Sequence, residues 1–193
     1  MKVTVIENNC VKDEGAPIGW YQISDSAWTN AGKPFYIPEE TGDVTVSLAP
    51  VIRFNRLGKS ISEKFARRYY SEIAPALHFR LPSLRDELLR QGLSPDPSVS
   101  FDRSLIVGSF VSMESLPDHP EMELKLNGET VALWNYPAMK FDINHIISRI
   151  SKTNTVKMGD FLIPVICGFT PVKIGDRLDV IMGSVGNLAV KVK

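Results

Sequence analysis

The most telling absence in this chain of 193 residues is local. No aspartate or glutamate stands between Asp43 and Glu63, across an apolar run that opens Val44-Thr-Val-Ser-Leu-Ala-Pro-Val-Ile52. Histidine is scarce as well, occurring only at 78, 119 and 145, so nothing before His78 supplies an imidazole. Cysteine stops at two: Cys10 and Cys167 form neither a CxxC motif nor a metal-ligand spacing, and are expected to be reduced, mostly buried thiols. Net charge is missing, because 22 basic residues balance 22 acidic ones, which removes the field that draws a protein to nucleic acid or an anionic membrane. No run approaches the roughly 18 apolar residues of a spanning helix, and Glu7 and Asn8 interrupt the first strand before a signal sequence develops. The expectation is a soluble, cytoplasmic chain with no membrane or nucleic-acid partner. Gly-x-Ser-x-Gly is also lacking, so there is no local signature of a serine nucleophile.

What is present is a β-rich pattern. The chain is 44% hydrophobic, enough for one well-buried domain, and shows no repeat; Ser94-Pro-Asp-Pro-Ser98 is a surface loop within it. Strands are predicted over 3–6, 44–54, 104–113, 122–126, 130–134, 161–166, 177–182 and 188–192, with Pro50 marking an edge or bulge in the second. Asn127-Gly128 supplies the positive φ angles of a tight hairpin between the fourth and fifth. Ser60 with Glu63 makes a capping box for a helix carrying Phe65, Tyr69 and Ile73 on one face before Pro75. A second helix runs over 83–91 and ends at Gly92, and a third is capped by Asp142 with an isoleucine stripe at 143, 146, 147 and 150. Many short strands and few helices argue an α+β domain.

Particular motifs refine this. Met139-Lys-Phe141-Asp142 leads a helix ending at Ser151, followed by Gly159-Asp160, Gly175-Asp176 and Gly183-Ser-Val-Gly186-Asn-Leu188. Upstream lie Gly32-Lys33-Pro34-Phe35-Tyr36-Ile37-Pro38, Asn55-Arg56-Leu57-Gly58-Lys59, Phe65-Ala66 with Tyr69-Tyr70, and Phe101-Asp102 with Gly108-x-Phe110. As an ordered set these resemble the fumarylacetoacetate hydrolase family over nearly the whole chain. The resemblance implies a mixed β-sandwich roll with a few short helices. It also implies one domain over residues 1–193, with a shortened, divergent N-terminal part (1–40) and a core (41–193). It further implies a homodimer, or a heterodimer with a related subunit.

The resemblance also implies a Mg²⁺ or Mn²⁺ ion held by a Glu-x-Glu and an Asp, because hard dications need anionic oxygens to offset their lost water. Aligned on Asn55 to Lys59, the Glu-x-Glu falls at Ser47-Leu48-Ala49, and a slip of one or two residues finds only Val44, Thr45 and Val46. The Asp falls at His78, the family's lysines at Ile23 and Val99, and its Thr-Gly-Thr-Pro at Pro164-Val165-Ile166-Cys167. The water-activating His-x-x-Glu would lie near Asp13 to Ala16. The ancestral cleft is thus expected at Ser47, Ala49, His78, Val99, Phe101 and Pro164, with no catalytic residue, metal ligand or cofactor.

Among the other candidates, His78 is expected to be a partly buried, hydrogen-bonded histidine, His119 a solvated loop residue, His145 an outer-face residue of its helix, and Cys167 a buried thiol without a base. The cluster Lys64, Arg67, Arg68, Tyr69 and Tyr70 is expected to be a solvated face. The leading functional expectation is a non-catalytic homologue, structural, regulatory or a partner subunit. One alternative is a divergent hydrolase, isomerase or decarboxylase of small oxo-acids, with ligands recruited from His78, Glu39, Glu40 or Asp102. The other is a binding module in which Ser47, His78 and Phe101 line the vacated cleft around a neutral or apolar ligand.

Overall fold

A computed structural model describes residues 1–10, 17–39, 42–118, 120–183 and 186–193. Its strands, in chain order, are β1 (Val3–Ile6), β2 (Trp20–Ile23), β3 (Trp28–Asn30), β4 (Val44–Phe54), β5 (Tyr70–Arg80), β6 (Leu105–Val107), β7 (Val111–Ser112), β8 (Glu121–Leu126), β9 (Glu129–Asn135), β10 (Phe161–Ile163), β11 (Cys167–Val172), β12 (Arg177–Met182) and β13 (Gly186–Lys191). The α-helices are α1 (Glu63–Ala66), α2 (Pro82–Arg90) and α3 (Ile143–Ser151). The α+β, β-rich expectation holds. No helix among the described residues is long and apolar enough to cross a membrane.

The spine is the antiparallel pair β4–β5, in register from Thr45 opposite Arg80 to Ile52 opposite Ile73. Both strands are apolar on both faces because each face is covered. Val46, Leu48, Ile52, Phe54, Ile73, Leu77 and Phe79 point into one core, which also takes the α3 isoleucines and the inner residues of β8, β12 and β13. Ala49, Val51, Ala74 and Ala76 point the other way, against Val3, Val5, Phe161, Ile163, Leu105 and Val107. One sheet runs β2-β1-β10-β4-β5-β6-β3, with β11 continuing beside β4 and β7 beside β5; the other runs β13-β12-β8-β9. Among the named strands, β1–β10 and β3–β6 pair parallel.

Several expectations need correction. Pro50 sits in a central strand, directly opposite Pro75. Pro75 O accepts from Gly108 N, so the polar groups of this pair face outward, away from one another. On its other side Pro50 falls between the stretches of β4 served by β10 and by β11, where no ladder donor is needed. The first predicted helix shrinks to α1 and a 3₁₀ turn, Arg67–Tyr69, and Ile73 and Pro75 lie within β5. Its cap is Ser62, while Ser60 has φ 52°. Pairing of β5 with β4, β6 and β7 outweighed the helical periodicity. The predicted strand over 104–113 breaks at Gly108, and β2, β3 and β11 were not anticipated. The hairpin at Asn127 (φ 52°) and Gly128 (φ 93°) and the Asp142 cap, whose Oδ1 accepts from Asn144 N and His145 N, are as expected.

Candidate functional site

Period-two alternation puts Thr45, Ser47 and Ala49 on one face of β4, and Ala76, His78 and Arg80 on the matching face of β5. Ser47 lies directly opposite His78, and Thr45 opposite Arg80. The two alanine positions close the dry end of this face, and Ala49 packs there with Ala74 and Ala76. The other end opens into a cavity of about 320 Å³ lined by Glu7, Thr45, Arg80, Pro82, Arg85, Asp86 and Phe169.

Behind the cavity, three polar side chains fix one another. His78 is fully buried, and its Nε2–H donates to Val99 O at 3.1 Å, since a carbonyl only accepts. That bond sets the tautomer, leaving the Nδ1 lone pair for Tyr21 Oη at 3.4 Å and Arg80 Nε at 3.5 Å. Arg80 Nη2 in turn donates to Tyr21 Oη at 2.6 Å. The Arg80 guanidinium lies over the rings of Tyr21 and Phe169, at 5.5 and 5.1 Å from their centroids. Burial, with the Arg80 charge beside it, pushes the His78 pKa down to about 3. Burial raises Tyr21 to about 12 against the opposing pull of Arg80. Arg80 is itself 7% exposed, and no carboxylate among the described residues lies within ion-pair distance of it. Of the two carboxylates that line the cavity, Glu7 and Asp86, Glu7 pairs with Arg85 at 3.2 Å.

The remaining expected cleft residues scatter. Val99 contributes a carbonyl, whereas Phe101 packs on the inter-sheet core beside Phe35. Pro164 is buried and its carbonyl accepts from Asn9 Nδ2 at 2.8 Å. Asp13 to Ala16, Glu40 and His119 lie outside the described residues; Glu39 and Asp102 are exposed. His145 pairs with Glu63 at 3.1 Å on the outer face of α3, and Lys64 and Arg68 flank the exposed Phe65 ring. Of the residues envisaged around a vacated cleft, Ser47 turns its Oγ to Gly168 O at 2.6 Å, and the cavity at this end of the face carries Arg80 and Arg85 together with Glu7 and Asp86. Tyr21, Thr45, Arg80 and Phe169 were missed. Arg80 alone was signalled, lying two residues beyond His78 on a strand.

A divalent ion does not fit this donor set. Ser47 and Thr45 are neutral, both nitrogens of His78 are engaged, and a guanidinium projects into the same face. Among the described residues no three His, Cys, Asp or Glu side chains cluster to hold a metal. The cation of the site is covalent.

Against known proteins, residues 5–193 match the model of the fumarylacetoacetate (FAA) hydrolase C-terminal domain. The chain belongs to the fumarylacetoacetate hydrolase family. A mitochondrial oxaloacetate tautomerase of Bos taurus is 30% identical over 171 residues, covering 87% of this chain and 76% of that protein. A mitochondrial oxaloacetate decarboxylase of Dictyostelium discoideum is 26% identical over 145 residues, 74% of this chain and 66% of the other. Among solved structures, the fumarylpyruvate hydrolase of Pseudomonas aeruginosa in complex with Mn²⁺ and pyruvate superposes with TM-score 0.90 at 18% identity, covering all of this chain and 89% of that one. The family relatives carry the names of enzymes, so the expectation of a non-catalytic homologue finds no support among them.

Proposed function

We propose that this family member acts on small 2-oxo-carboxylates without a metal ion, as a keto–enol tautomerase. The observation that carries the reading is Arg80, a buried guanidinium without a carboxylate partner among the described residues, fronting a cavity of about 320 Å³. A buried charge is costly unless paired, so such a group is built to receive an anion. Its fork matches a carboxylate or an adjacent enolate oxygen in two parallel hydrogen bonds. His78 and Tyr21 hold Arg80 by its Nε and Nη2 edges, which pre-organises the cation before the substrate arrives. At neutral pH both partners keep their protons in fixed places, Tyr21 on oxygen and His78 on Nε2 alone.

Tautomerisation fits this equipment because it consumes no water and breaks no carbon–carbon bond. A proton leaves the carbon next to the ketone for the Glu7 carboxylate at the cavity rim, and Glu7 passes that proton to the enolate oxygen held against Arg80, which restores the carboxylate. The similarity to oxaloacetate tautomerases supports this choice over hydrolysis, which needs an activated water.

The test is keto–enol exchange of oxaloacetate, followed by ultraviolet absorbance in EDTA. The expected result is catalysed exchange that falls about 10²–10³-fold in Arg80→Met and is only partly restored in Arg80→Lys, which keeps the charge and loses the fork. Arg80-dependent binding without exchange would favour the second reading, a non-catalytic binding module, whose supporting observation is the neutral Thr45–Ser47 pair. Activity that EDTA abolishes would overturn the metal-free mechanism.

A further inference from the structure

Cys10 and Cys167, 157 positions apart in sequence, place their sulfurs 3.0 Å from each other. Each is fixed independently of the other. Cys10 follows Asn9, whose side chain donates to Phe141 O and Pro164 O and accepts from Phe141 N. Cys167 opens β11 and pairs with Leu48 of β4. The meeting of the two sulfurs thus follows from the anchored Asn9 on one side and the paired backbone of β11 on the other, and one of them, Cys10, is exposed while Cys167 is buried.

We propose that Cys10 and Cys167 form a reversible intramolecular disulfide, a redox-modification site close in sequence to residues that line the Arg80 cavity. The hydrogen bond from the Cys167 thiol holds Cys10 below the ordinary thiol range, while the same contact and burial push Cys167 up. The exposed sulfur is therefore the attacking thiolate and the buried one resolves. With a hydroperoxide as oxidant, the Cys10 thiolate attacks the O–O bond, which breaks to leave Cys10 sulfenic acid and an alkoxide that takes up a proton. The Cys167 sulfur then displaces hydroxide from the Cys10 sulfur: the S–S bond forms, the S–O bond breaks, and the Cys167 thiol proton departs with the hydroxide as water. Two thiols are oxidised, and the hydroperoxide is reduced to an alcohol and water.

The location gives the bond a consequence. Three residues before Cys10 stands Glu7, and two after Cys167 stands Phe169, and both line the Arg80 cavity. Gly168 between them takes the Ser47 hydroxyl. A disulfide would join the two walls that carry Glu7 and Phe169, limiting how far the cavity opens.

The test uses the full, reduced chain treated with stoichiometric hydrogen peroxide, read by intact mass, thiol labelling and thermal unfolding, none of which needs activity. Expected are a mass loss of two hydrogens, joint disappearance of both thiols, faster non-reducing migration, and a midpoint raised by roughly 5 °C or more, all reversed by dithiothreitol. Cys10→Ser, altered only at an exposed position, should leave the Cys167 thiol labelled after denaturation and abolish the midpoint shift. Two surviving thiols would overturn the proposal, as would Cys10 sulfinate beside an intact Cys167 thiol, or a covalent dimer. These outcomes leave the tautomerase reading untouched.

Discussion

His78 meets donors at Nδ1, from Tyr21 and Arg80, and a carbonyl at Nε2, so a second proton would set a cation beside a buried guanidinium. The unfolded chain takes up that proton as pH falls through about 6.5, whereas the folded chain resists until about 3. Stability supplied at neutral pH is therefore lost progressively across that window, at up to about 1.4 kcal/mol per pH unit. Urea unfolding at pH 7 and pH 5 should show a drop about 1–2 kcal/mol larger in the natural chain than in His78→Gln, which keeps a donor for Val99 O. Equal drops would mean that His78 does not govern the acid side of the profile. The sequence made Ser47 and His78 visible as vacated positions. It concealed the partnership of Tyr21 with Arg80, which depends on β2 wrapping back over the sheet and leaves no local trace.

Strand and turn devices show the same division. Asp160, after Gly159 at φ 88°, accepts from Lys157 N at 2.9 Å and from Lys2 N at 2.8 Å; Asp176, after Gly175 at φ 98°, accepts from Lys173 N and Asn127 Nδ2 at 2.9 Å each. Both carboxylates are buried, and each ties its turn to a segment far along the chain, Lys2 just before β1 or Asn127 in the β8–β9 hairpin. The motif was legible as Gly-Asp, but its purpose was not, because the partners lie in remote segments. Asp160→Ala strips acceptors from two backbone N–H groups and from Lys2, and should lower unfolding free energy by about 2–3 kcal/mol in denaturant titration. A loss below about 0.5 kcal/mol, the range of ordinary surface changes, would show that the turn holds itself. The α3 boundaries followed from Asp142 and the isoleucine stripe because both signals are local. The helix assigned through Ile73 failed because Phe65, Tyr69 and Ile73 also suit a turn followed by a strand, and the pairing of β4 with β5 decides between them.

For the molecule as a whole, the family fold is retained, and the metal-free reaction proposed for it predicts no stabilisation by divalent ions. A native-state ligand at about 100 times its dissociation constant adds about 2.7 kcal/mol, worth several degrees in a chain of this size. On the metal-free proposal, thermal unfolding should have the same midpoint in EDTA as in millimolar Mg²⁺ or Mn²⁺. A rise of several degrees with either ion would return a metal to the site. The β-sandwich roll was recoverable from the ordered scaffold motifs, which repeat family turns and caps; the setting of Arg80 on the same face as His78 and Ser47 required the strand register.

The parallel pairing of β1 with β10 sets Val3 beside Phe161, and Phe35 bridges to Val192. These contacts pair β1 and Phe35 with residues 158 and 157 positions later, so neither can find its partner until those later segments have been made. Loop closure over such separations is slow compared with local hairpins such as β8–β9. Tyr21 lies on β2, which pairs with β1, and Glu7 follows β1, so a chain made only as far as β5 would expose the bare β4–β5 surface on which the cleft is built.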